Sequence, residues 1–161
     1  MTTVETIREG FTFLTIARQR GLPTYSVIND NHQKLNSHPT SIQSELGGRA
    51  HGLLGLILPA GTYQTRTGVA FSATFNPGPV PTIPTGATGP QISALKRGHK
   101  YELHIFPEFN ATNNNLKQQL LGCFDESYIH GLLNRHTGYD NAGTLQMLTH
   151  LYTTHGVNKY K

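Results

Sequence analysis

Residues 88–124 read TGPQISALKRGHKYELHIFPEFNATNNNLKQQLLGCF, and the spacing of their apolar residues decides the fold. Ile92, Leu95, His99, Leu103 and Phe106 recur at intervals of three, four, four and three, the repeat of one helical face. Thr88 with Gln91 has the form of a capping box, and Pro90 suits a first turn, where a missing N–H is tolerated. Pro107 disfavours helical backbone at Phe106, so this helix is expected to end or kink there. Asn113-Asn114-Asn115 then precede a second helix with Leu116, Leu120, Leu121 and Phe124 on one face.

The pattern continues toward the C-terminus. Asp125 is a natural N-cap for a third helix carrying Tyr128, Ile129, Leu132 and Leu133, stopped by Thr137-Gly138. A last helix holds Leu145, Leu148, Leu151 and Tyr152, and Gly156 closes it. Amphipathic helices joined by short loops pack as antiparallel neighbours, so the fold class is all-α, a bundle of amphipathic helices.

Working back from Thr88, residues 68–90 hold five of the nine prolines. Proline lacks an N–H and fixes φ, so neither a helix nor a central strand survives there. Phe71 and Phe75 are expected to pin this stretch to the core as an ordered loop. Pro59 suggests the start of one helical turn. Residues 47–58, GGRAHGLLGLIL, demand burial, and a helix and a strand fit equally. Their glycines at 47, 48, 52 and 55 suggest close backbone approach or a tight turn. Tyr25, Ile28, His32 and Leu35 form a helical face behind the N-cap Thr24, and a short helix is expected from Pro39 to Leu46. Residues 1–23 show no clean period and read as an irregular N-terminal arm; 24–161 read as a single helical domain.

Composition narrows the function classes. Charged residues are only 14% of the chain, which excludes a long charged coiled coil. The net charge of +4 is split evenly between residues 1–89 and 90–161. Only Arg18/Arg20 and the cluster Lys96, Arg97, Lys100 approach the concentrated basic face of a nucleic-acid binder. No apolar run reaches the ~18 residues of a membrane span, so no membrane partner is expected. Glu5, Arg8 and Glu9 precede any apolar run, which argues against a signal peptide. The single cysteine, Cys123, excludes an intramolecular disulfide and any cysteine-based zinc knuckle, and fits a reducing, intracellular compartment.

Nine histidines invite a metal or catalytic reading. The pairs His99/His104, His130/His136 and His150/His155 have gaps of five, six and five, whereas one helical face needs three or four. His32 and His99 lie on apolar faces, where a hydrogen-bonded core histidine is the simpler reading. Cys123 reads as a buried, inert thiol. Asp125-Glu126 reads as helix capping. No nucleophile elbow and no phosphate-cradling glycine loop occurs. No catalytic residue, metal ligand or cofactor is therefore assigned; a hydrolase using His51 or His136 is a minor alternative.

The order of segments resembles a known family. Its carriers are Thr3-Val-Glu-Thr-Ile-Arg-Glu-Gly10, Leu22-Pro-Thr-Tyr25, Lys34-Leu-Asn36, and Ser41-Ile-Gln-Ser-Glu-Leu-Gly-Gly48 running on through His51-Gly-Leu-Leu-Gly-Leu56. Asn76-Pro-Gly-Pro79, Leu116-Lys-Gln-Gln-Leu-Leu121, Tyr128, Arg135-His-Thr-Gly-Tyr139 and Thr149-His-Leu-Tyr-Thr-Thr-His-Gly156 follow. This set is similar to the N-terminal capsid region of the Gag protein of copia-type LTR retrotransposons. The resemblance implies a helical, non-enzymatic, cytoplasmic protein whose copies self-associate into a capsid-like shell that packages element RNA. Two departures stand out. The family continues past the Thr-Thr-His-Gly region into further helices and often a zinc knuckle, while this chain stops at Lys161. The family's helix after His99 is less interrupted than Phe106-Pro107 and Asn113–Asn115 suggest here. The alternatives are a small basic nucleic-acid-binding module using Lys96, Arg97 and Lys100, and a truncated remnant of an element.

Overall fold

The computed structural model describes residues 16–42, 44, 46, 50–74 and 76–156. Four α-helices carry the fold: α1 (Tyr25–Thr40), α2 (Ala60–Thr67), α3 (Gly89–Cys123) and α4 (Thr144–Thr154). Single 3₁₀ turns occupy Leu54–Leu56, Glu126–Tyr128 and His130–Leu132. Among the described residues the only β-type pairing is an isolated bridge between Asn134 and Gly138. The protein is all-α, with an irregular proline-rich loop between α2 and α3.

The helix starts follow their local chemistry. The Thr24 side chain accepts the Val27 N–H at the head of α1. Thr88 and Gln91 complete their reciprocal capping box at α3. Gly68 ends α2 in the left-handed region, φ +79°, where glycine meets no side-chain penalty. One start is not local. The N-cap of α4, Gly143, offers no side chain. Asn113 of α3 supplies the cap instead: its Oδ1 accepts both the Thr144 N–H (3.2 Å) and the Thr144 hydroxyl (2.7 Å).

Several expected boundaries move. Pro107 does not end a helix: α3 runs 35 residues through it and through Asn113–Asn115. Proline removes the N–H that the Leu103 carbonyl would accept, but Leu103 is half exposed, so that turn lies where water can serve. Beyond the proline the helix is held from outside. Phe109 stacks on Phe71, ring centroids 6.4 Å apart, and both pack on the buried Ile42, Leu53 and Ala111. Pro39 does not open a second helix; it lies inside the last turn of α1. Its carbonyl accepts the N–H groups of Ile42 and Leu53, which folds the next segment back. The third helix expected after Asp125 is two 3₁₀ turns, although Asp125 does cap the first by accepting the Ser127 N–H. Gly131, inside the second turn, meets the His150 ring, 3.0 Å from where a Cβ would sit.

The glycine-rich segment resolves into tight contact. Gly52 has φ +56°, and a Cβ there would strike the carbonyl oxygens of Ile42 and Pro39. A Cβ on Gly55 would strike the Phe71 ring. Gly47 and Gly48 lie outside the described residues, as does Phe75.

The main core joins α1, the C-terminal half of α3, α4 and the segment near Ile57. Ile28, Leu35, Ile57, Leu116, Leu120, Met147, Leu148 and Leu151 are its centre. Of the N-terminal arm, residues 16–23 are described and carry no helix. They run along the end of α3, where the Gln19 N–H donates to the Cys123 carbonyl at 2.7 Å.

Candidate self-association surface

Apolar residues split α3 into two parts. Its buried residues are Ala111, Thr112, Leu116, Lys117, Leu120 and Cys123, all in the C-terminal part. Residues 89–110 contain no buried residue. This first part carries the stripe Ile92, Leu95, His99, Leu103 and Phe106, whose spacing defines an apolar face. Along this face Leu95 is 38% exposed and Leu103 50%, while Ile92, His99 and Phe106 are half-buried. Elsewhere on the same part, Tyr101 is 45% exposed.

The proline-rich loop lies along one side of this part of α3. Asn76 Oδ1 accepts the Gly78 N–H, which shapes a turn with Gly78 at φ +66°. The Gly78 carbonyl then receives His99 Nε2 at 3.0 Å. A carbonyl only accepts, so Nε2 carries the proton and neutral His99 keeps Nδ1 as an acceptor. Between loop and helix lies an open cleft of ≈ 770 Å³, lined by Pro77, Pro81, Pro84, Leu95, His99 and Glu102. Val80 and Ile83, on the loop itself, are 70% and 44% exposed. Sequence reasoning found the stripe and missed Val80 and Ile83; apolar residues set between prolines, which bar a covering strand, were the available signal.

Lys96, Arg97 and Lys100 are exposed on this same part of α3. Arg97 Nε donates back to the Ser93 carbonyl at 3.4 Å, and Lys96 and Lys100 share one edge of the helix four residues apart. The three cations form one short patch.

The histidines take separate places. His32 is a hydrogen-bonded core group, as its apolar face suggested. Its Nε2 donates to the Ile57 carbonyl (2.8 Å) and its Nδ1 meets the Tyr152 hydroxyl (3.0 Å), so it ties α1 to α4. Burial pushes the His32 imidazolium pKa down, against the raising effect of the Ile57 carbonyl. Burial, with Tyr25 nearby, pushes the Tyr152 hydroxyl up to about 12. His99 is hydrogen-bonded too, but to the loop and outside the core. His51 stands edge-on to Tyr63 at 6.4 Å. His136 lies exposed in a turn, where its backbone N–H donates to Asn134 Oδ1. Among the described residues, no three His, Cys, Asp or Glu side chains gather as a metal-binding group.

Two further titratable groups are buried. Cys123 is 1% exposed, and burial pushes its thiol pKa up. Lys117 is 7% exposed and donates to the Tyr139 carbonyl at 2.9 Å; burial lowers its pKa and Asp140 partly offsets this. Sequence spacing had not singled out Lys117, because a lysine on an apolar-flanked helix ordinarily reads as solvated.

No protein-family model, curated protein or solved structure matches the chain. Among the described residues, no helix is long and apolar enough to cross a membrane.

Proposed function

We propose that this chain is a non-enzymatic structural protein, Gag-like in character, whose copies self-associate into a capsid-like assembly in the cytoplasm. The observation that supports the reading is the N-terminal part of α3, which buries none of its residues and exposes Leu95 and Leu103. Some twenty residues of regular helix, with an apolar stripe and no buried residue, are stable when something packs on them. The loop beside them adds Val80 and Ile83 to the same region. Sedimentation velocity over a range of protein concentrations tests it. Growth of dimers or larger species with concentration is the expected result; a strict monomer at all concentrations and salts refutes it.

One observation favours a second reading. Lys96, Arg97 and Lys100 project from the same helix into solvent, where phosphate contacts would release counterions. In that reading the affinity for element RNA falls as salt rises; a flat salt titration removes it.

A further inference from the structure

The edges of the α3 stripe say how two copies would meet. We propose that two copies of this chain pair side by side, parallel, through residues 92–106 of α3. A two-fold axis along the pair then sets Glu102 of each copy against the Lys96–Lys100 edge of the other. This rests on the self-association reading and gives it a geometry.

The argument starts from helix periodicity, about 100° per residue. Lys96 follows Ile92 by four and precedes Leu103 by seven, so it flanks the edge those two form; Lys100 continues that edge. Glu102 follows Leu95 by seven and flanks the opposite edge. The stripe is thus apolar in the middle, cationic on one side and anionic on the other, where exposed Glu102 also lines the open cleft beside the chain's own loop. A two-fold axis parallel to the helices turns the cationic edge of one copy toward the anionic edge of its mate, on both flanks at once. Ile92, Leu95, Leu103 and Phe106 then meet their own counterparts in successive layers. An antiparallel pair instead gathers two Lys96 and two Lys100 on one flank with no acid among them. Edge charges of this kind set orientation in paired helices.

Three further observations agree. Lys96, Lys100 and Glu102 are exposed, and among the described residues none of them forms an ion pair within the chain. Residues 92–106 contain no buried residue, so both edges of the stripe can be reached by a second copy. His99 is the single polar member of the stripe; a lone polar layer fixes register at some cost in stability.

Directed disulfides and a charge swap test the proposal. In a parallel pair, Leu95→Cys faces its own copy and oxidises to a covalent dimer. In an antiparallel pair centred on His99, the two substituted positions stand about 12 Å apart along the axis, beyond the ~4.4–6.8 Å a disulfide spans. The native Cys123 is buried and does not compete. Glu102→Lys weakens dimerisation about tenfold through two lost contacts and new like-charge pairs. Adding Lys96→Glu and Lys100→Glu to the same chain restores it. All these positions are exposed, and circular dichroism confirms that the variants keep their helix.

A crosslinked Leu95→Cys dimer with rescue by the charge swap supports the proposal. A wild-type chain that stays monomeric refutes both this pairing and the self-association reading. A chain that associates but crosslinks only in a mixture of Leu95→Cys with Leu103→Cys, or shows no rescue, refutes the pairing alone.

Discussion

The two parts of α3 are one continuous helix with opposite surroundings. From Ala111 to Cys123 the helix is wrapped by α1 and α4, and Leu116 and Leu120 are fully buried. From Gly89 to Asn110 it carries an apolar stripe of similar make-up in which no residue is buried, touched by the loop at His99 and by Phe71 at Phe109. Helical periodicity is equally clear in both. An amphipathic face is therefore a requirement for a partner, and the partner can be the same chain or another one. In the C-terminal part the chain meets the requirement itself; in the N-terminal part we propose that a second copy meets it.

The contrast predicts unequal responses to the same truncation. Leu120→Ala in the wrapped part is expected to lower unfolding stability by about 2–5 kcal/mol, since it leaves a cavity among packed neighbours. Chemical denaturation of the two variants in parallel measures this. Leu103→Ala in the open part is expected to cost less than about 0.5 kcal/mol in the monomer. If both cost the same, the open part is not open.

A second break lies at His32, which joins α1 to α4 on the wrapped side. His32→Ala removes both of its hydrogen bonds and strands the buried Ile57 carbonyl, an expected loss of about 1–3 kcal/mol by denaturation. The same group gives a pH dependence. His32 and His38 both have lowered folded-state values, with burial as the leading cause. Below the ordinary histidine value of 6.5 the unfolded chain binds protons that the folded chain resists. Stability is thus fully present above pH 6.5 and falls as the pH drops toward the lowered values. Melting temperatures across pH 5–8 test this, and His32→Ala should flatten the curve.

A smaller effect is expected at Asn113, where one part of the protein completes another. Asn113→Ala removes the side-chain cap from α4 and should cost about 1 kcal/mol. Hydrogen exchange should show the first turn of α4 opening while residues 89–106 are unchanged. The smallest effect on folding sharpens the comparison most. Leu103→Asp is expected to leave the melting temperature of the monomer nearly unchanged and to reduce self-association at least tenfold by sedimentation, because it places a charge at an exposed position of the stripe.

The legible features were those settled within a few residues. The capping box at Thr88 and the cap at Thr24 each join atoms three positions apart and formed as read, and Asp125 caps too, but a 3₁₀ turn in place of the expected helix. The proline stretch forbade regular structure by its own covalent geometry, and it is irregular. The buried thiol of Cys123 followed from its apolar flanks. The helix end expected at Pro107 did not occur, because a local penalty does not decide by itself. Contacts from Phe71 to Phe109, 38 positions apart, hold the helix together across it. Asn113 was misread as a breaker because its work is done 31 positions away, at Thr144. The surface stripe was found, but periodicity alone did not say that it would stay uncovered.

The order of amino acids alone determined that this chain is helical, where most helices begin, and which faces are apolar, since propensity, capping and side-chain spacing act over about one turn. Only the tertiary structure decided that two predicted helices are one, that α4 takes its cap from α3, and that the first half of the longest helix buries none of its residues. Those outcomes depend on which distant groups arrive as neighbours, and burial belongs to the neighbourhood rather than to the residue.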